Sequence, residues 1–95
     1  MGKYDRLSDS LASDGRRFIR MSTEDIETVI GSKLPESATL YSSWWGNDYS
    51  HSQAKAWMDA GYVISSPEDT RHSGIAQFVK AKIEVENGIV IINPY

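Results

Sequence analysis

Residues 79–92 carry the pattern that most constrains the fold. Val79, Ala81, Ile83 and Val85 alternate with Lys80, Lys82, Glu84 and Glu86, and Asn87-Gly88 then leads into a short apolar run over residues 89–92. Period-two alternation belongs to a strand with one buried face, and Asn-Gly is a pair well suited to the positive φ angles of a two-residue primed turn. The chain must therefore contain an antiparallel hairpin, spanning residues 79–93. The turn sets its register, with Val90 opposite Val85 and Ile92 opposite Ile83. An all-helical bundle is excluded.

Upstream, the periodicity changes. Tyr4, Leu7 and Leu11 recur at helical spacing and Asp14-Gly15 supplies a stop, which predicts a first helix from Asp5 to about Ala12. Residues 16–21, with Phe18, Ile19 and Met21, read as a short strand. Ser22 is placed to cap the next helix by accepting from the Asp25 backbone, with Met21 packing on Ile26 across the cap, Ile26, Val29 and Ile30 as the buried stripe, and Gly31 as the end. Residues 34–38 (LPESA) predict one short helical turn. Ser50-His51-Ser52-Gln53 has the form of a capping box, Ala54, Trp57 and Met58 give an apolar face, and Gly61 suits the closing position. A strand at residues 62–64 follows, and residues 65–74 (SSPEDTRHSG) have the composition of an exposed loop.

Ninety-five residues with 40% hydrophobic content make one domain, residues 1–95, with one modest core and no interdomain cleft. The absence of cysteine excludes disulfides, thiolate metal sites and a cysteine nucleophile, and suits a reducing cytoplasm. No leader-like or membrane-spanning apolar run is present, so a cytoplasmic protein with no membrane partner is expected. A net charge of −3 opposes diffuse attraction to a polyanion. Basic groups concentrate at the start, where Lys3, Arg6, Arg16, Arg17 and Arg20 face three acids, whereas residues 23–48 set Lys33 against five acids. Tyr41, Trp44, Trp45, Tyr49, Trp57 and Tyr62 crowd into one stretch.

These elements predict an α+β fold: a small winged-helix-like domain, with three main helices packed on a small antiparallel sheet that ends in the C-terminal hairpin. The helix from Ser50 to Ala60 would then be the recognition helix. At about 100° per residue, His51, Ser52, Lys55 and Asp59 look outward and Gln53 lies at the edge. Asn47, His51, Ser52, Gln53 and Lys55 are candidates for the groove of DNA, and Arg16, Arg17 and Arg20 for its backbone. Of the adjacent Trp44 and Trp45, one should be buried and the other partly exposed; Trp57 belongs to the core. An exposed tryptophan beside Tyr49 could stack on a base or anchor a protein. Asp59 counts against DNA, since it can pair with Lys55 and repels phosphate.

The stretch Trp44-Trp45-Gly46-Asn47-Asp48-Tyr49-Ser50-His51-Ser52-Gln53-Ala54-Lys55-Ala56-Trp57-Met58-Asp59-Ala60-Gly61-Tyr62 resembles a small, functionally uncharacterised bacterial domain family with the pattern W-W-x-N-D-x-S-H-S-Q-A-x-A-W-x-x-A-G-aromatic. Lys3-Tyr4-Asp5-x-Leu7, Asp25-Ile26-Glu27 with Ile30-Gly31, and Leu34-Pro35-x-Ser37-Ala38 are similar to it as well, so the likeness covers residues 3–63. Residues 65–82 read as an added loop and strand. The resemblance implies a stand-alone bacterial or phage-borne domain of no established activity.

Asp48, His51 and Ser50 or Ser52 invite a triad reading, but such partners normally come from separate elements and no oxyanion-hole loop is visible. His51 and His72 have no carboxylates at ligand spacing, so no metal and no cofactor are expected. Two non-enzymatic functions remain. The leading expectation is a DNA-binding module of winged-helix type; the alternative is a protein-binding module that inhibits or modulates a host defence or regulatory complex, for which an acidic surface with exposed aromatics suffices. An edge strand in the terminal hairpin could pair between subunits, but Lys80, Lys82, Glu84 and Glu86 are also what a protected exposed face looks like, so the sequence leaves the oligomeric state open.

Overall fold

The computed structural model describes residues 2–94. In chain order the elements are α1 (Asp5–Asp14), β1 (Phe18–Ser22), α2 (Thr23–Ile30), α3 (Ser37–Leu40), a 3-10 turn (Ser42–Trp45), α4 (Ser52–Asp59), β2 (Tyr62–Ile64), α5 (Pro67–Ser73), β3 (Ile75–Glu86) and β4 (Ile89–Pro94). The fold is α+β, with five α-helices among the described residues where three main ones were expected, and a four-stranded antiparallel sheet.

β3 organises the sheet. Its first half lies between β1, in a register running from Phe18↔Val79 to Ser22↔Ile75, and β2, from Tyr62↔Lys80 to Ile64↔Phe78. Its second half leaves those neighbours and pairs with β4, with Val85 opposite Val90 and Ile83 opposite Ile92 as the turn chemistry predicts. Asn87 (φ 51) and Gly88 (φ 78) both take the positive angles of the primed turn. β3 starts at Ile75, ahead of the alternation that announced it, because Ala76 and Phe78 continue the strand on the covered face.

Capping explains the helix boundaries near β1. α1 ends at Gly15, whose positive φ returns its N–H to the Leu11 carbonyl. α2 opens with a reciprocal box: the Asp25 N–H donates to Ser22 Oγ (3.0 Å) and the Ser22 N–H to Asp25 Oδ2 (3.1 Å). The expected loop at residues 65–74 is instead largely the helix α5. Ser66 Oγ accepts from the Asp69 N–H, Pro67 occupies the first turn, Glu68 and Asp69 face the positive end of the dipole, and Gly74 closes with φ 72. Thr70 is the one residue of α5 that is fully buried, so no apolar stripe announced it.

Helices cover one face of the sheet. Leu7 and Leu11 of α1, Ile26 and Ile30 of α2, and Ala54, Trp57 and Met58 of α4 meet Ile19, Tyr62, Ile64, Ala76 and Phe78 in a single core. A chain of rings runs through it: Tyr4 to Trp44 (6.1 Å between centroids), Trp44 to Trp45 (4.7 Å), Trp45 to Trp57 (6.3 Å) and Trp57 to Phe78 (5.9 Å). Each such pair adds about 0.5–1.5 kcal/mol to the burial of its apolar area. On β1, Ile19 points into this core, and the alternation turns Phe18 and Arg20 out of the opposite face.

Candidate functional site

The Trp-rich block was the candidate working surface, and most of its polar groups turn out to be committed internally. Asn47 is the centre of this arrangement. Its Oδ1 accepts from Trp57 Nε1 (3.0 Å) and from the Ile64 N–H (2.8 Å), while its Nδ2 donates to the Ile64 carbonyl (3.0 Å). One side chain thus ties the segment before α4 to the middle of α4 and to the end of β2. Trp45 is 1% exposed and donates through Nε1 to the Ala38 carbonyl (2.8 Å). Trp44, half-buried against Tyr4, is the more exposed of the adjacent pair, as expected. Trp45 has no ring face open to solvent, and Trp44 makes edge contacts with both Tyr4 and Trp45.

The capping box expected at Ser50 is not formed. α4 begins at Ser52 with His51 at its N-cap position and no side-chain cap. Ser50 Oγ donates instead to Asp48 Oδ1 (2.6 Å), and the buried Gln53 reaches back with Nε2 to the Trp44 carbonyl (3.1 Å). A buried carbonyl needs a donor more than an exposed helix end does, since water can satisfy the latter. Asn47 and Gln53 are therefore committed to internal bonds in this conformation rather than presented to base edges.

What remains exposed on α4 is Ser52, Lys55 and Asp59, with His51 exposed at the N-cap and Tyr49 partly exposed beside them. Lys55 Nζ donates to Asp59 Oδ2 (2.6 Å), Tyr49 OH donates to Asp59 Oδ1 (2.6 Å), and the ammonium lies 5.0 Å from the Tyr49 ring centre. Partial burial raises the Asp59 carboxyl, but the hydrogen bonds from Lys55 and Tyr49 outweigh it and hold the group below its ordinary value. The same bond to Asp59, aided by Tyr49, raises Lys55. His51 Nε2 stands 3.8 Å from Asp48 Oδ2, and the hydrogen bonds from Ser50 keep Asp48 low. The Lys55 ammonium and the His51 ring each have a carboxylate beside them.

The arginines do not join that surface. α4 packs on the covered face of the sheet through Trp57 and Phe78, so its exposed residues look away from the sheet, whereas Arg20 looks out of the far side. There it borders a small polar depression with Ser65, Ser66, Asp69 and Gln77. Arg16 clasps Asp14 on the turn after α1 (2.7 Å), and its carbonyl accepts from Tyr62 OH (2.6 Å). Arg17 lines a different depression.

That depression was not foreseen from the sequence. Arg17, Phe18, Val63, Val79, Ile92 and Pro94 enclose an open groove of about 420 Å³ where the uncovered sheet face meets the base of the hairpin. Within the groove Phe18 is 55% exposed and Ile92 41%, and beyond it Val85 (52%), Ile89 (64%) and Ile91 (40%) are open along the hairpin. A signal existed in Phe18-Ile19: neighbouring large apolar residues in a strand face opposite sides, so one of them must leave the core.

The triad arrangement is absent in geometry. The Ser50 hydroxyl is bonded to the carboxylate, not to the imidazole that would have to take its proton. Among the described residues no group of three or more His, Asp or Glu side chains could hold a metal ion, and no helix is long and apolar enough to cross a membrane. No curated protein and no solved structure matches the chain. A family model described as a domain of unknown function, DUF7662, matches residues 4–80, which takes in the Trp-rich block, α5 and the first half of β3, and the chain belongs to that family.

Proposed function

We propose that the domain is a non-enzymatic protein-binding module whose contact surface is the apolar groove at Phe18 and the hairpin beside it. The observation that carries this reading is the run of exposed large apolar side chains there: Phe18 and Ile92 line the groove, Val85 opens on the same hairpin face as Ile92, and Ile89 and Ile91 open on the other face, opposite Glu86 and Glu84. Contiguous apolar surface flanked by polar groups is the usual mark of a protein contact, and an aromatic beside a pocket is the usual anchor.

A second reading, a DNA-binding module of winged-helix type, is favoured by one feature: the strand order β1-β3-β2 with α1 ahead of β1 and α4 ahead of β2. Against it, residues 31–51 separate α2 from α4, whereas a helix-turn-helix joins its pair by about 3–4 residues. The acids beside Lys55 and His51, and the placement of Arg20 on the far side, also weaken a phosphate-binding surface.

One experiment separates the two. Affinity capture from a bacterial lysate is run with the wild type, Phe18→Asp and Lys55→Glu, alongside anisotropy of labelled mixed-sequence duplex DNA at two salt concentrations. A specific protein retained by the wild type and by Lys55→Glu, and lost with Phe18→Asp, supports the groove. Salt-sensitive DNA binding that Lys55→Glu removes and Phe18→Asp leaves intact sinks it in favour of the second reading.

A further inference from the structure

We infer that the hairpin joins two copies of this chain, by antiparallel pairing of β4 with its own image across a two-fold axis. The inference rests on reading the hairpin as a contact surface and adds the identity of one partner. β4 is bonded to β3 along one side, from Ala81↔Pro94 to Glu86↔Ile89 without a break in register, and pairs with no other strand among the described residues. Its outer edge is a row of backbone donors and acceptors that can extend the sheet.

Natural edge strands are usually blunted by a charge, a bulge or an early proline. β4 has no charged residue and no bulge, and its one proline stands at its last position. The charges of the hairpin, Lys82, Glu84 and Glu86, all lie on β3. Pairing β4 with itself about Ile91 sets Ile91 beside its image and Ile89 opposite Asn93, so apolar rows continue across the axis with no charge to be matched. Glu84 and Glu86 stay on the outer strands, three strand spacings or roughly 14 Å from each other across the axis. That exceeds the screening length of about 8 Å at physiological salt, so the net charge of −3 does little to oppose this contact.

A self-complementary edge of this sort is what a two-fold dimer requires, since both sides are the same surface. The open parts of Ile89, Ile91 and Ile92 on β4 amount to roughly 250 Å² per chain, about a third of a standard interface side. A reversible dimer follows rather than an obligate one.

Sedimentation equilibrium of the full chain at several loading concentrations tests this. The wild type should approach twice the chain mass as concentration rises. Ile91→Lys and Ile89→Lys, each adding a charge to the edge, should sediment at the single-chain mass with unchanged circular dichroism. Ile75→Lys, a similarly open isoleucine at the other end of β3, should still dimerise. Ile89 is the most exposed of these, so Ile89→Lys decides the matter if Ile91→Lys fails to fold. A wild type that stays monomeric throughout, or a dimer that persists in both edge variants, overturns the pairing. Either result leaves the groove to be judged by Phe18→Asp alone.

Discussion

The block from Trp44 to Tyr62 and the hairpin from Ala81 to Pro94 use their side chains in opposite ways. The first contains three tryptophans, an asparagine, a glutamine and two tyrosines, and nearly every polar atom among them has an internal partner. The second is built mainly of apolar residues, with Lys82, Glu84 and Glu86 between them, and leaves Val85, Ile89, Ile91 and Ile92 open to solvent. The family match stops at Lys80, where β3 passes from one region to the other. A conspicuous motif can therefore be a device for building a fold, while the exposed apolar side chains lie in a stretch whose sequence looks ordinary.

If this contrast is right, Asn47→Ala should be among the costliest substitutions of a partly exposed residue. It leaves Trp57 Nε1 and the Ile64 N–H without an acceptor and the Ile64 carbonyl without a donor. Unmaking such partly buried bonds costs about 2–4 kcal/mol, read as a lower urea midpoint with an unchanged slope. Asn47→Asp keeps the acceptor and loses only the donor, so it should recover part of the loss. Were Asn47→Ala no worse than an ordinary surface change, the block would not be the structural tie described, and its exposed residues would return as the leading functional candidates.

Legibility in the sequence followed the range of the interactions. The turn and register of the hairpin were readable because Asn87-Gly88 fixes both within the segment itself, although β3 begins before the alternation does. So was the capped start of α2, where Ser22 and Asp25 are three residues apart. The start of α4 was misread because the local option at Ser50 and Gln53 lost to distant ones: Gln53 is drawn to a carbonyl nine residues back and Asn47 to a strand seventeen residues on. α5 failed for a different reason. Its Ser-Pro-Glu-Asp start is a good helix signal, but with only Thr70 buried it lacks the apolar period that distinguishes a helix from a polar loop. Of the candidate site, the outward positions His51, Ser52 and Lys55 were legible from helical geometry, whereas the carboxylates that neutralise them and the groove at Phe18 depend on how elements pack.

The hairpin side of the contrast sharpens with Gly88→Ala. Gly88 has φ 78, and a methyl group added there would meet no other atom within 4 Å, so the substitution strains the backbone without a clash. A left-handed residue of this kind costs roughly 1 kcal/mol. The loss should be confined to the hairpin: amide exchange should speed up over residues 81–94 while Ile64 and the α4 amides stay protected. An equal loss of protection at Ile64 would mean that the hairpin and the block unfold as one unit, and the division drawn between them would fail.

The smallest expected effect lies at the outer edge of the block, where Asp59 joins Lys55 and Tyr49. Because the Asp59 carboxyl is held below its ordinary value, its contribution to stability is complete above the unfolded-state value near 4 and disappears as pH falls through the lower folded-state value. The group is 43% exposed at its side chain, so solvent screening limits the gain to within about 1 kcal/mol. Asp59→Asn should abolish that part of the acid-limb pH dependence and shift neutral-pH stability only slightly, as measured by urea midpoints at pH 7 and along the acid limb. A large neutral-pH loss in Asp59→Asn would show that the trio braces α4 as Asn47 does. The surface of α4 would then belong wholly to the structural region, and the second, DNA-binding reading would lose the one helix it needs.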